Sequence, residues 1–270
     1  MNTRLTRRGF GRLALAGLVV TAVGGSAYAQ QSRPLRVGVT AGPHAQILEA
    51  AAAVAKREGL EIRIVEFSDY IQPNAALAQG DLDANSYQHQ PFLDQQVKDR
   101  GYKIVSIAQT VVFPIGIYSR KYKSLAELPS GAKVALPNDP TNGGRVLLLL
   151  QREGLLKLRP DAGLRATPVD VVENPKRLRL IELDAAQLPR SLDDVDAAAV
   201  NTNYAIPAGL SPTRDAIAIE DKESPYANVI AVREADKDRP EFATLVRAYR
   251  SPEVKAFVEE TFKGAIIPTW

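Results

Sequence analysis

Leu60-Glu61-Ile62-Arg63-Ile64-Val65-Glu66-Phe67 alternates apolar and polar side chains with period two, between an alanine-rich helical stretch ended by Gly59 and a second one led by Ser68. A strand flanked on both sides by helices constrains the fold more than any other segment. Successive parallel strands need a long crossover, and a helix supplies it. The pattern also runs outward from this strand. Residues 35–40 read as a strand, Ala41-Gly42-Pro43 turns it into a helix over about 44–57, and a helix ending at Gln79 follows Phe67. Residues 80–85 read as a turn and a short buried segment, followed by a helix over about 91–99. The β-α-β-α order predicts a parallel sheet with helices on both faces.

Residues 104–119 are rich in β-branched side chains and interrupted only at Pro114, as suits a strand that leaves one sheet for another. Ser124-Leu125-Ala126-Glu127 has the form of a capping box, and the alternation restarts at Ala132-Lys133-Val134-Ala135-Leu136. A buried helix at 147–150, strands at 178–183 and 196–200 and a return strand at 228–232 complete a second lobe. Residues 240–263 are helical, with Ser251-Pro252 as cap and first-turn proline of a restart. The expected fold class is therefore α/β, with two lobes joined by two hinge strands. One lobe takes 30–118 with 229–270, the other 119–228, with a boundary near Ser119 and a return near Asn228. Ligand sites in open α/β sheets lie at strand carboxyl ends, here the turns after Thr40, Phe67, Leu136 and Val200.

Residues 1–29 read as an export signal. Arg4, Arg7, Arg8 and Arg12 precede an apolar run from Leu13 to Val23, and Ala27-Tyr28-Ala29 offers small residues for cleavage before Gln30. Thr6-Arg7-Arg8-Gly9-Phe10 also has the form of a twin-arginine signal. Gly17, Gly24 and Gly25 break the apolar run below the roughly 20 residues of a spanning helix, so the mature protein is expected in the periplasm. The signal holds four arginines and no acids, so cleavage takes the basic count from 34 to 30 against 31 acids. A near-neutral surface gives no support for nucleic-acid binding. With no cysteine, disulfides, thiolate metal sites, cysteine nucleophiles and a lipid-modified cysteine are all excluded. His44 and His89 are the only histidines, so neither a metal nor a cofactor is expected. No nucleophile elbow, phosphate loop or dinucleotide fingerprint supplies a catalytic centre, so the chain does not read as an enzyme.

Pro137-Asn138-Asp139-Pro140-Thr141-Asn142-Gly143-Gly144-Arg145 runs directly into Val146-Leu147-Leu148-Leu149-Leu150. Free amides in a first helical turn favour an anion, and a nearby guanidinium can grip a carboxylate with two hydrogen bonds. A plain turn into a core helix uses much the same residues. Asn201-Thr202-Asn203-Tyr204 ends a buried strand, where one amide is expected to face the cleft while the other braces the loop; a capping amide is the other reading. Tyr87-Gln88-His89-Gln90-Pro91-Phe92 and Tyr70 suit one wall of an apolar pocket, or a set of satisfied structural residues.

Longer motifs carry a resemblance. Glu66-Phe67-Ser68-Asp69-Tyr70, Gln88-His89, residues 137–142, residues 186–196, Asn201-Thr202-Asn203-Tyr204-Ala205 and Ser224-Pro225-Tyr226-Ala227-Asn228 occur in order. From about Val37 to Trp270 the chain resembles the methionine-binding substrate-binding proteins of bacterial ABC importers, a group that includes the NlpA-type lipoproteins. The resemblance implies a periplasmic-binding-protein fold of type II form. It further implies capture of L- or D-methionine between the lobes and delivery to an ABC permease with a cytoplasmic ATPase. Carried onto matching positions, Arg145 holds the α-carboxylate, Asn203 and Asn228 take the α-amino and carboxylate groups, and Tyr70, Tyr87 and His89 wall the thioether pocket. Asn142, Phe92 and Asn201 are further ligand-binding candidates. One departure is that many relatives carry a lipobox cysteine where this chain has Ala27-Tyr28-Ala29-Gln30, so no lipid anchor is expected. The alternatives are a Met-containing dipeptide, another small apolar amino acid, or an exported enzyme acting on an amino-acid-like substrate.

Overall fold

The computed structural model describes residues 33–221 and 223–270; the signal-peptide and twin-arginine motifs of residues 1–29 lie outside them. The first half of the chain runs β1 (Leu35–Thr40), α1 (Pro43–Arg57), β2 (Ile62–Phe67), α2 (Gln72–Gln79), β3 (Ala84–His89), α3 (Gln90–Arg100), β4 (Ile104–Val112) and β5 (Gly116–Tyr118). Then come β6 (Lys133–Pro137), α4 (Pro140–Arg152), β7 (Lys157–Leu158), β8 (Val171–Glu173), β9 (Arg179–Leu183), α5 (Leu188–Ser191), β10 (Ala197–Val200) and α6 (Thr202–Ala205). The chain closes with β11 (Ala218–Ile219), β12 (Ala227–Arg233), α7 (Pro240–Tyr249), α8 (Pro252–Phe262) and β13 (Ile267–Pro268). Among the described residues no helix is long and apolar enough to cross a membrane.

Two sheets organise these elements. The first has the order β13-β4-β12-β3-β1-β2 and the second β11-β5-β10-β6-β9. In the first, β1 pairs in parallel with β2 and β3, but β12 enters antiparallel between β3 and β4. The sheets are thus mixed, which corrects the all-parallel expectation: a strand returning from the other lobe arrives in the opposite direction. The clean period-two strand β2 lies at a sheet edge, where one face stays wet. β1, flanked on both sides, is almost wholly buried.

Helices cover both faces of each sheet, as the β-α alternation predicts. On one face of the first sheet Ile47 and Leu48 of α1 pack with Phe242, Leu245, Tyr249 and Val258 of α7 and α8; on the other, Leu77, Leu82 and Leu93 meet Val229. In the second sheet Val146, Leu147 and Leu150 of α4 pack on Ile117 and Leu136, and Leu188 and Leu192 lie opposite them on Ala135 and Val200. Each such aliphatic side chain contributes about 1.5 to 3 kcal/mol by leaving water.

Residues 104–119 are two strands in different sheets, not one. Pro114 lacks an N–H and cannot continue the ladder, so the chain crosses at 113–115, a few residues ahead of Ser119. It returns between Ile219 and Ala227. The expected capping box at Ser124 does not form. Only a single 3₁₀ turn follows, the Ser124 side chain makes no cap bond, and Glu127 accepts from the Lys123 N–H at 2.9 Å. At Ser251 the cap is present: its hydroxyl accepts from the Val254 N–H at 3.3 Å.

Candidate functional site

Helix α4 starts at the carboxyl end of β6, and its first turn is closed by the chain's own carboxylate. Asp139 accepts from the Asn142 N–H at 2.9 Å, the Thr141 hydroxyl at 3.0 Å and the Asn142 side-chain amide at 3.0 Å. The anion seat expected at this helix start is therefore filled by Asp139. Burial pushes its carboxyl above the usual range, and these donated bonds work against that rise. Two residues on, Gly144 admits the 163–166 turn onto the helix, since a Cβ there would strike the backbone of Leu164 and Ala166.

The next residue, Arg145, points into a cavity between the two sheets. Its side chain is 3% exposed. Nε donates to Glu220 Oε1 at 2.8 Å, while Nη2 donates to the other Glu220 oxygen and to the Phe113 carbonyl at 2.7 Å. The guanidinium also lies over the Tyr226 ring, 4.5 Å from its centroid. Nη1 makes no hydrogen bond to another described residue.

Asn142 is the hub of the polar side. Its amide nitrogen is committed to Asp139, which orients its oxygen to accept from His89 Nε2 at 3.1 Å and from Asn201 Nδ2 at 3.0 Å. All its side-chain hydrogen-bonding groups are thus occupied by protein, so this candidate joins the two sheets rather than facing a ligand with a free polar atom. The same chain of bonds leaves Asn201 Oδ1 as a buried acceptor without a partner among the described residues. Asn203 Oδ1 takes the Tyr70 hydroxyl at 2.6 Å, and its Nδ2 is a buried donor with none. Both amides line the cavity, so the expected division between cleft and loop does not hold: residues two apart in an extended chain already share a face, and β10 ends at Val200 just ahead of them.

The opposite wall is aromatic. The Tyr87 hydroxyl donates to the Tyr70 carbonyl at 3.0 Å, and both phenols are pushed well above their ordinary value, chiefly by burial. Phe92 stands edge-on to Tyr70 and to His89, each with centroids 6.0 Å apart. His89 Nδ1 accepts from the Phe92 N–H at 3.1 Å, so its proton sits on Nε2 and points at Asn142. Burial, and then the Arg145 charge, lower the His89 pKa to about 3. Asn228, opposite His89 in the β3–β12 pairing, also faces the cavity.

All nine candidate residues therefore line one cavity. His44, Gln88 and Phe113 join them, although none of the three is among the ligand candidates; Gln88 belongs to the Tyr87–Phe92 stretch read as one wall. His44 stacks on Phe113 with centroids 4.2 Å apart, and burial lowers its pKa to about 3. Gln88 is held by Asn74 and Asn85, donating at 2.8 and 3.1 Å, and supports the floor. Glu220 gave no local signal because it sits in an acid-rich loop that reads as solvated surface.

The profile of the family described as NlpA lipoprotein matches residues 35–270. The D-methionine-binding lipoprotein MetQ of Salmonella typhimurium is 52% identical over 239 residues, covering 87% of this chain and 88% of that protein. Among solved structures, a nutrient binding protein from Burkholderia cenocepacia bound to methionine is 58% identical with a TM-score of 0.86, covering 87% of this chain and all (100%) of that one. An ABC transporter, periplasmic substrate-binding protein from Coxiella burnetii is 53% identical with a TM-score of 0.85, covering 87% and 100%.

Proposed function

The chain belongs to the NlpA lipoprotein family, and from that membership we propose that it is an extracytoplasmic substrate-binding protein that captures methionine for an ABC importer. The observation that carries the reading is a buried donor and a buried acceptor left open beside one guanidinium. A free amino acid needs that set: Arg145 Nη1 and Asn203 Nδ2 donate to the α-carboxylate, and Asn201 Oδ1 accepts from the α-ammonium. Asn228, on the same wall line as His89, is assigned the remaining polar contact of the zwitterion. A thioether lies among Tyr70, Tyr87, His89 and Phe92, where each sulfur–ring contact contributes about 0.3 to 1.5 kcal/mol.

The two lobes are assigned to the two sheets, with crossings at 113–115 and between Ile219 and Ala227 as the hinge. Closure brings Tyr70 onto Asn203 and His89 onto Asn142, and the closed face is what a membrane permease with its ATPase reads. The protein works outside the cytoplasm. Its relatives are named lipoproteins, whereas this chain has no cysteine to carry an acyl group, so it is assigned a freely diffusing form exported by its amino-terminal signal, with the paired arginines as a twin-arginine element. Isothermal calorimetry with L- and D-methionine tests the reading, together with mass spectrometry of the recovered ligand. Binding of methionine recovered unchanged supports a carrier. Turnover would favour an exported enzyme, and absence of heat with either enantiomer would remove the methionine assignment.

A further inference from the structure

Arg145 already has a carboxylate partner inside the protein, and the placement of that partner is unusual. Glu220 engages Nε and Nη2 of the guanidinium, accepts from the Ile115 N–H at 3.4 Å, and its own N–H donates to the Ile115 carbonyl at 3.0 Å. It is thus fixed to the first crossing while it belongs to the second. Its side chain is 12% exposed against 3% for Arg145, so the pair is largely withdrawn from water and its charges act strongly at short range. The two histidines on the cavity, His44 and His89, are both neutral at ordinary pH and add no charge of their own.

We infer that Glu220 is a specificity-determining residue: by neutralising Arg145 from behind, it makes the cavity select a zwitterion over a simple carboxylate. The inference rests on the carboxylate placement at Arg145 proposed above. An uncompensated buried guanidinium would bind any small anion and would repel an ammonium held a few ångströms from it. With Glu220 in place, two of the guanidinium's three nitrogens are spent on its charge, and Nη1 is left to donate to the ligand. The ligand's carboxylate then meets a donor of modest net field, and its ammonium meets Asn201 Oδ1 without a strong adverse charge nearby. Selection for the α-amino group therefore comes from the carboxylate behind the arginine as much as from the amide that touches the ammonium.

The test is a ratio of affinities in the full-length mature protein. Methionine and its des-amino analogue 4-(methylthio)butanoate are titrated by calorimetry into the parent and into Glu220→Gln. A purely structural loss weakens both ligands by the same factor and leaves their ratio where it was. The expected result is a preference for methionine over the analogue that drops about tenfold in Glu220→Gln, with the analogue's own affinity unchanged or higher. An unchanged ratio overturns the inference. If Glu220→Gln does not yield folded protein, Glu220→Asp draws the carboxylate back by one methylene and should lower the ratio by a smaller factor; a parental ratio there overturns it equally. Failure of the parent to bind methionine, or full methionine binding by Arg145→Ala, would instead sink the underlying carboxylate placement, so the two failures are distinguishable.

Discussion

The two walls of the cavity differ in where their polar atoms are spent. On the aromatic wall the Tyr87 hydroxyl, the Tyr70 hydroxyl and both His89 nitrogens are bonded to protein, which leaves ring surface to offer. On the amide wall Asn201 and Asn203 each keep one buried polar atom open, beside a guanidinium with a nitrogen to spare. A saturated wall can only measure shape and polarisability. An unsaturated wall demands specific hydrogen-bonding groups, because a ligand lacking them leaves buried polar atoms unpaired. On the proposed placement, side-chain identity would be read by the rings and amino-acid identity chiefly by the amide wall, with Asn228 beside His89 as the polar exception on the aromatic side.

Substitutions on the two walls should separate accordingly. The largest effect is expected from Arg145→Ala, which leaves a ligand carboxylate and Glu220 both without their cation; a loss of about 3 to 5 kcal/mol in methionine affinity by calorimetry is expected, and parental affinity would break the division between the walls. Asn203→Ala removes the open donor and should cost about 1.5 to 3 kcal/mol, equally for methionine and for leucine, since both carry the same carboxylate.

Acid should act mainly through imidazoles rather than amides. His44 and His89 are lowered to about 3 from 6.5, so the unfolded chain takes up these protons first, and stability is lost as pH falls below 6.5 and goes on falling to about 3. From pH 6.5 to 5 the loss is about 1.5 to 2 kcal/mol per imidazole, measurable by denaturant titration at the two values. His44→Phe, which keeps a ring against Phe113, should remove about half of that slope; a parental slope would show that other groups dominate. The smallest effect belongs to ring surface alone: Phe92→Leu should reduce the preference for methionine over norleucine by about 0.3 to 1.5 kcal/mol while leaving the carboxylate contacts intact.

Much of this site is legible in the sequence because its residues interrupt strong local patterns. Arg145 is a lone cation at the head of an apolar run, and the aromatic cluster between Tyr87 and Phe92 precedes a helix. What escaped depends on distance or on a change of local geometry. Glu220 is 75 residues from Arg145, and only the return crossing brings it there. The division of Asn201 and Asn203 between cleft and loop fails for a simple reason: residues two apart in an extended chain share a face, and both line the cavity. The free amides of α4 were legible as a site, but their occupant was adjacent in sequence: Asp139 serves both as the cap and as the anchor of Asn142. Fold class followed from the β-α rhythm, whereas the direction of β12 depends on the route the chain takes through the second sheet.

Arg145 donates to a carbonyl on one crossing and to a carboxylate on the other. In a body that turns about those crossings, displacement grows with distance from the axis, so this guanidinium sits close to the fulcrum. On the proposed hinge the charged end of a ligand would be held at nearly constant geometry through the swing, and His89, with its ring centroid 5.0 Å from that of Tyr226 on the return crossing, would move little relative to it. A contact at the fulcrum would register charge in the same way at every degree of closure.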